Sequence, residues 1–269
     1  MSSAVRLALG QVEPVIGDTA KNLQRMEQLA ASAAEAGADL LILPEMHLTG
    51  YALGRQRTRA LAEPADGPSA QHAAAIAQRC GLAILYGYPE EDSGAVFNTV
   101  GFVDSSGQRL FDTRKLHYFG DLDRQQFDRP AASAGEVVTW RGWKVGAAVC
   151  YDVEFPEVTR ALAVAGAELV CVPTANMADY DQVQTTLLPA RAVENQIYLA
   201  YANYCGADAV YRYGGLSRVI GPDGSAVAAA GREPQLLICQ IDKPTLQRSR
   251  QQNPYLRDRR FDPAPREES

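Results

Sequence analysis

No apolar run in this chain approaches the ~20 residues needed to span a bilayer, so no membrane-spanning helix is expected. Met1–Leu9 also lacks the long apolar stretch of a secretory signal. The five cysteines, Cys80, Cys150, Cys171, Cys205 and Cys239, are odd in number and form no CxxC pair. That argues against a disulfide framework and a zinc cluster, and a reduced, cytoplasmic protein is the expectation. Only three histidines are present, with no HxxxH or HExxH spacing, so no metal is expected. No GxGxxG or P-loop pattern follows a strand, which leaves nucleotide binding unsupported. Basic charge is short too: the net charge is −6 and the pI about 5.2. Nucleic-acid binding usually calls for a basic face, so no nucleic-acid partner is expected.

What is present is ordinary globular material. The chain has 269 residues, of which 46% are hydrophobic and 22% charged. That length suits one large domain, burying roughly 70–75% of its unfolded surface. Arg6–Val12 alternates as a strand, and Asp18 is placed to cap a helix over Thr19–Ala36. Asp39–Pro44 carries LLIL, a strand buried on both faces. A helix over Ser69–Cys80 and a strand over Leu82–Tyr88 follow, then a hairpin of Val96–Val103 and Gln108–Lys115. The rhythm returns with a strand at Lys144–Cys150, a helix at Pro156–Ala165, and ELVCVP at Glu168–Pro173 matching DLLILP. A helix over Gln182–Asn195 and strands at Gln196–Tyr204, Leu216–Ile220, Ala226–Ala230 and Gln235–Ile241 complete the pattern. An α/β fold is expected, with two mixed sheets in a four-layer α-β-β-α sandwich over residues 1–242. The prolines and charges of residues 243–269 predict a tail that wraps the surface or a partner subunit.

Three residues stand at carboxyl ends of predicted strands, where ligands of α/β sheets gather. Glu45 in LLILPEMHLTGY follows a buried strand, and desolvation there would make it a better base near neutral pH. Lys115 in FDTRKLHYFG could hold a thiolate and stabilise an oxyanion. Cys150 in KVGAAVCYDVEFPE sits between a strand and a helix, a corner that presents a nucleophile beside backbone N–H groups. A Cys–His pair is the rival mechanism, through His47 or His117, each two residues past a candidate. Both are read as packing or hydrogen-bonding loop residues, and His72 as a surface helix position.

The ordered set LPE, strand-end Lys and strand-end Cys followed by FPE resembles the nitrilase, or carbon–nitrogen hydrolase, superfamily from Arg6 to about Pro254. PTANM at Pro173–Met177, ARAVENQIYLAYANYCG at Ala190–Gly206 and IGPDG at Ile220–Gly224 look like its aliphatic amidase branch, near 5-aminopentanamidases and (R)-stereoselective amidases. The resemblance implies a Glu45–Lys115–Cys150 triad, no cofactor, and homodimers or higher homo-oligomers. It implies a small-molecule amide substrate and a thioester intermediate, with the backbone N–H of Tyr151 helping to hold the oxyanion. Nitrile-cleaving members usually carry Trp after the cysteine, and Tyr151 there favours amides. Branches acting on N-carbamoyl compounds, ω-amides or nitriles are the alternatives, and a non-catalytic scaffold is the alternative of another class. The family's second glutamate has no counterpart here; Asp121 or Asp123 would stand in for it. Tyr51, Tyr118, Phe119, Tyr151, Asn176 and Met177 are the candidate pocket wall, and Asp179 is the acid that could face a substrate amine.

Overall fold

The computed structural model describes residues 3–131 and 135–260. The first half of the chain runs β1 (Ala4–Gln11), α1 (Thr19–Glu35), β2 (Leu40–Ile42), α2 (Arg55–Leu61), α3 (Pro68–Cys80), β3 (Ala83–Asp92), β4 (Ala95–Val103), β5 (Arg109–Arg114) and α4 (Gly120–Gln126). The second half runs β6 (Val138–Trp140), β7 (Trp143–Ala147), α5 (Pro156–Val164), β8 (Leu169–Thr174), α6 (Leu188–Asn195), β9 (Tyr198–Asn203), β10 (Arg218–Ile220), β11 (Ala226–Ala229), β12 (Gln235–Asp242), α7 (Lys243–Gln252) and α8 (Tyr255–Asp258).

Two six-stranded mixed sheets result, ordered β12-β1-β2-β3-β4-β5 and β11-β10-β9-β8-β7-β6. Side-chain alternation builds the layers. Leu7, Leu9, Leu40, Ile42 and Leu85 point between the sheets and meet Val145, Ala147, Leu169, Cys171 and Ala200 of the other sheet. The intervening residues point outward. Ala8, Leu41 and Ile84 pack under α1 and α3 through Met26, Ala30 and Ile76. Val170, Val172 and Leu199 pack under α5 and α6 through Val158, Leu162 and Leu188. The expected α-β-β-α sandwich is therefore observed. The internal echo is topological as well. β2 lies between parallel β1 and β3, and β8 lies between parallel β7 and β9.

Local chemistry sets most boundaries. Asp18 caps α1 by accepting from Lys21 N at 2.9 Å, and Gly81 closes α3 in the left-handed region. Three expectations needed revision. The strand expected to reach Cys150 stops at Ala147, and Cys150–Glu154 forms a 3₁₀ turn instead. The helix expected from Gln182 opens as a π turn over Val183–Leu187, because Pro189 has no N–H to give an α-helical bond. The strand expected from Gln196 begins at Tyr198, since Gln196 sits at φ 50° as the left-handed end of α6. Of the tail expected over residues 243–269, the first ten form α7, whose Leu246 is buried in the inter-sheet core; residues 261–269 lie outside the described residues. No helix among the described residues is long and apolar enough to cross a membrane.

One buried acid gives the fold a pH dependence. Asp112 on β5 accepts from Tyr88 Oη at 2.9 Å and pairs with Arg109 at 3.1 Å. Burial raises its pKa from 3.8 to about 6. The folded carboxyl thus keeps its proton over a window in which the unfolded one has lost it. Stability must fall as pH rises through that window and stay lower above it. Asp112→Asn keeps an acceptor for Tyr88, so it should gain about 2 kcal/mol near neutral pH and nothing near pH 4. Urea unfolding at the two pH values measures this.

Candidate active site

Glu45, Lys115 and Cys150 arrive from different elements and meet. Glu45 follows β2, Lys115 follows β5, and Cys150 opens the turn after β7. Glu45 and Lys115 are both fully buried, with Lys115 Nζ donating to Glu45 Oε1 at 2.7 Å. The same ammonium donates to Asp123 Oδ2 at 2.7 Å, and Asp123 is buried too. Asp123 also accepts from Phe119 N at 2.9 Å. Asp121, the other candidate, is excluded from this cluster: its side chain is 87% exposed and lies 3.3 Å from Arg124. Two positions apart in α4, the acids point roughly 200° from each other, so only one can face inward.

Glu45 is fixed by a residue that sequence reading missed. Asn98, in the middle of buried β4, donates from Nδ2 to Glu45 Oε1 at 2.7 Å. A polar residue within an apolar strand was the available signal. The loop carrying Glu45 runs against β3 so closely that a Cβ on Gly87 would stand 2.2 Å from Met46 N. Only glycine permits that approach. Met46 itself takes φ 53°, and Tyr204 Oη donates to its carbonyl at 3.3 Å. Cys150 likewise takes φ 49°, a backbone geometry that costs free energy and is held by its surroundings.

The electrostatics follow from burial. Burial raises the pKa of Glu45; Lys115 works against this and Asp123 adds to it, and the shift remains upward. Burial opposes the charge on Lys115, but Asp123 and Glu45 outweigh it and hold the ammonium well above its ordinary range. The Cys150 thiol is pushed up by burial and then by the Glu45 charge; Lys115, the Thr174 side chain and the Ala175 backbone work the other way. Burial thus favours a neutral thiol and makes Glu45 a stronger proton acceptor than a free carboxylate, beside a firmly held cation. Cys150 is partly accessible, as a substrate requires.

Around this cluster lies an aromatic wall. Tyr51 is buried with its ring 5.5 Å from Lys115 Nζ, and Tyr118 is tied to the Asp128 carbonyl. Phe119 meets Tyr151 and Tyr180 edge-on at 5.4 Å each. Tyr51, Tyr118 and Met177 share one apolar cluster with Tyr204 and Tyr213. Asn176 donates from its main chain to Asn203 Oδ1 at 2.8 Å and from Nδ2 to the Tyr180 carbonyl at 3.2 Å. The tyrosines at 180, 204, 211 and 213 were not anticipated, although YANY and YRYGG were visible after the strand. Asp179 is exposed.

The histidines sit elsewhere. His47 is buried, and its pKa is lowered to about 3 by burial and then by Arg25, which keeps it neutral. His117 lies 2.8 Å from Asp152 through Nδ1 and stacks on Phe155 at 3.7 Å. His72 is exposed on α3. No group of three His, Cys, Asp or Glu residues among the described residues could hold a metal ion.

A buried carboxylate–ammonium–carboxylate row beside a thiol, at the edge of paired sheets, is machinery for acyl transfer to and from sulfur. The carbon-nitrogen hydrolase family matches residues 6–251, and the chain belongs to that family, whose members hydrolyse carbon–nitrogen bonds. It is 52% identical over 261 residues to a protein of Pseudomonas protegens named hydrolase in pqqF 5'region, covering 95% of this chain and 89% of that one. It is 34% identical over 258 residues to an (R)-stereoselective amidase of a Pseudomonas species, covering 96% and 92%. Among solved structures it resembles an amidase from Nesterenkonia sp. with a TM-score of 0.86 and 35% identity, covering 97% of this chain and 95% of that chain. A variant of a Nesterenkonia amidase carries the acetamide moiety of fluoroacetamide on its active-site cysteine; it matches at TM-score 0.83 and 34% identity, over 95% and 94% of the two chains.

Proposed function

We propose that this protein hydrolyses small and medium aliphatic amides to a carboxylic acid and ammonia through a thioester on Cys150. The observation that carries the reading is the ammonium of Lys115 held between Glu45 and Asp123 at 2.7 Å each, in the cluster that Cys150 joins.

The order of events follows from a thiol that rests neutral. Cys150 loses its proton to Glu45 only as Sγ attacks the amide carbon. The carbonyl oxygen gains negative charge, which the Lys115 ammonium and the Tyr151 backbone N–H stabilise. One such donor is typically worth ~10²–10³ in rate. Glu45 hands the proton to the amide nitrogen, the C–N bond breaks, and ammonia leaves a thioester. Glu45 then takes a proton from water as its oxygen attacks the thioester carbon, and returns it to Sγ as the acid departs. Asp123 touches Lys115 and not the thiol, so its part is to keep the ammonium charged and aimed.

The mainly apolar, aromatic wall favours an aliphatic acyl chain over a large polar one. Ammonia release from aliphatic amides, ω-amides, N-carbamoyl compounds and nitriles, measured in parallel, tests the reaction class. Simple aliphatic amides should be turned over fastest. Mass spectrometry of the quenched enzyme should find an acyl adduct on the peptide containing Cys150. An adduct on another residue, or silence on every amide, would end this reading.

A further inference from the structure

Lys115 and Cys150 stand on different sheets, and no ladder hydrogen bond joins the two sheets among the described residues. Their relative position must therefore come from packing and a few polar ties. Tyr204 to the Met46 carbonyl is one such tie, and Gln11 Oε1 accepting from Ser217 N at 2.9 Å is another. Neither reaches the segment after β5. A third tie does. Asp152 is 2% exposed, and its carboxylate accepts from the main chain on both sides of the cleft.

From the Lys115 side, Leu116 N lies 3.2 Å from each oxygen and His117 N 2.8 Å from Oδ1. The His117 ring adds Nδ1 at 2.8 Å, and its stacking on Phe155 keeps it there. From the Cys150 side, Val149 N donates to Oδ2 at 3.3 Å, and Asp152 N donates to the Val149 carbonyl at 3.1 Å. One carboxylate thus grips the residues next to Lys115 and closes the strained turn that starts at Cys150.

We infer that Asp152 is a positioning residue that sets the distance between the ammonium of one sheet and the sulfur of the other. It touches neither reacting atom and acts through the two segments it joins. No hydrogen bond joins its carboxylate to the sulfur among the described residues; its bonds run to the main chain at Val149, Leu116 and His117 and to the His117 ring. The inference rests on Cys150 being the nucleophile and Lys115 its cation.

Asp152→Ala removes all of the acceptors. A displacement of about 1 Å between reacting groups can cost ~10²-fold, so kcat should fall by roughly that factor with KM little changed. Activity alone would not separate this role from general loosening, and it presupposes the amidase reading. The second readout is the rate at which iodoacetamide alkylates Cys150, followed by peptide mass spectrometry between about pH 6 and 9. It needs no amide turnover. With the ammonium drawn away from sulfur, alkylation should slow by about tenfold across that range, at temperatures where the variant is folded. His117→Phe keeps both main-chain donors and the stacking surface, and should lower kcat by less than tenfold. Should Asp152→Ala not fold, Asp152→Asn, which retains one acceptor oxygen, should show the same slowed alkylation to a smaller degree. Unchanged or faster alkylation in folded Asp152 variants would overturn the inference, whether or not any amide proves to be a substrate. Wild type inert on amides with slowed alkylation in the variant would sink the proposed function and leave the positioning role standing.

Discussion

Glu45→Gln should halt turnover while leaving the Cys150 thiol open to alkylation. The substitution is nearly isosteric. Its amide oxygen can go on accepting from Lys115 and Asn98, both at 2.7 Å from the native Oε1, so the site keeps its shape. What disappears is the proton acceptor. General bases contribute typically 10²–10⁴-fold, and in the proposed mechanism one carboxylate serves attack, expulsion of ammonia and activation of water. A fall in kcat of about 10³ is the expected result. The thiol should behave oppositely. The Glu45 charge is, after burial, the largest influence holding the thiol proton in place, whereas Lys115 favours the thiolate. Removing that charge should make sulfur easier to ionise, so iodoacetamide should label Cys150 at least as fast as in wild type. Ammonia release and labelling rates measured side by side decide this. More than a tenth of wild-type kcat would show that the base is elsewhere; loss of labelling would show that the site had collapsed. The wild-type pH profile carries a related signature. Glu45 must be ionised to act and its pKa lies above the ordinary 4.5. Activity should therefore decline as pH falls through a limb above that value, a limb that belongs to the coupled group.

What could be seen in the sequence and what could not divide along a physical line. The layers were legible because alternation within a strand is a local property: Leu7 and Leu9 point one way and Ala8 the other whatever happens elsewhere. Glu45, Lys115 and Cys150 could be picked out because each was expected at a strand end marked by its own neighbours. Three-dimensional ties were not. Asn98 reaches Glu45 across 53 residues, and Asp152 reaches Leu116 across 36. Nothing in VFNTV or CYDVE announces those partners. The choice between Asp121 and Asp123 depended on a short helix, GDLDRQQ, which has no apolar period to reveal it. The strand expected to run to Cys150 also failed for a tertiary reason. KVGAAVC reads as continuous β, yet the chain turns at a left-handed cysteine that only surrounding contacts can hold. The unanticipated features are those that fix the site's geometry, while the residues proposed for the chemistry were visible.

Lys115→Met should cost the protein both its activity and much of its stability. The ammonium is fully buried and satisfies two carboxylates at once. Methionine matches its volume but leaves Glu45 and Asp123 facing an apolar thioether with no counter-charge. Breaking a buried pair by removing one partner typically costs about 3–5 kcal/mol. The two acids cannot both stay ionised without that cation, so at least one must take up a proton in the folded state. The sign of the pH dependence follows. Loss of the cation raises the folded-state pKa of Glu45 still further above its unfolded value, and stability associated with a raised carboxylate pKa is lost as pH rises. The variant's deficit relative to wild type should thus be largest near neutral pH and should shrink in acid. Adding Asp123→Asn to Lys115→Met should recover part of it near neutrality, because one stranded charge is gone. Urea unfolding of wild type, the single variant and the double variant at several pH values measures all three expectations. Activity should not return with stability: the double variant still lacks the cation proposed to stabilise the oxyanion, so kcat should stay at least ~10²-fold down. Recovered turnover would assign the oxyanion to the backbone alone, and a deficit that grew in acid would mean the carboxylates are not charged partners of Lys115 in the resting enzyme.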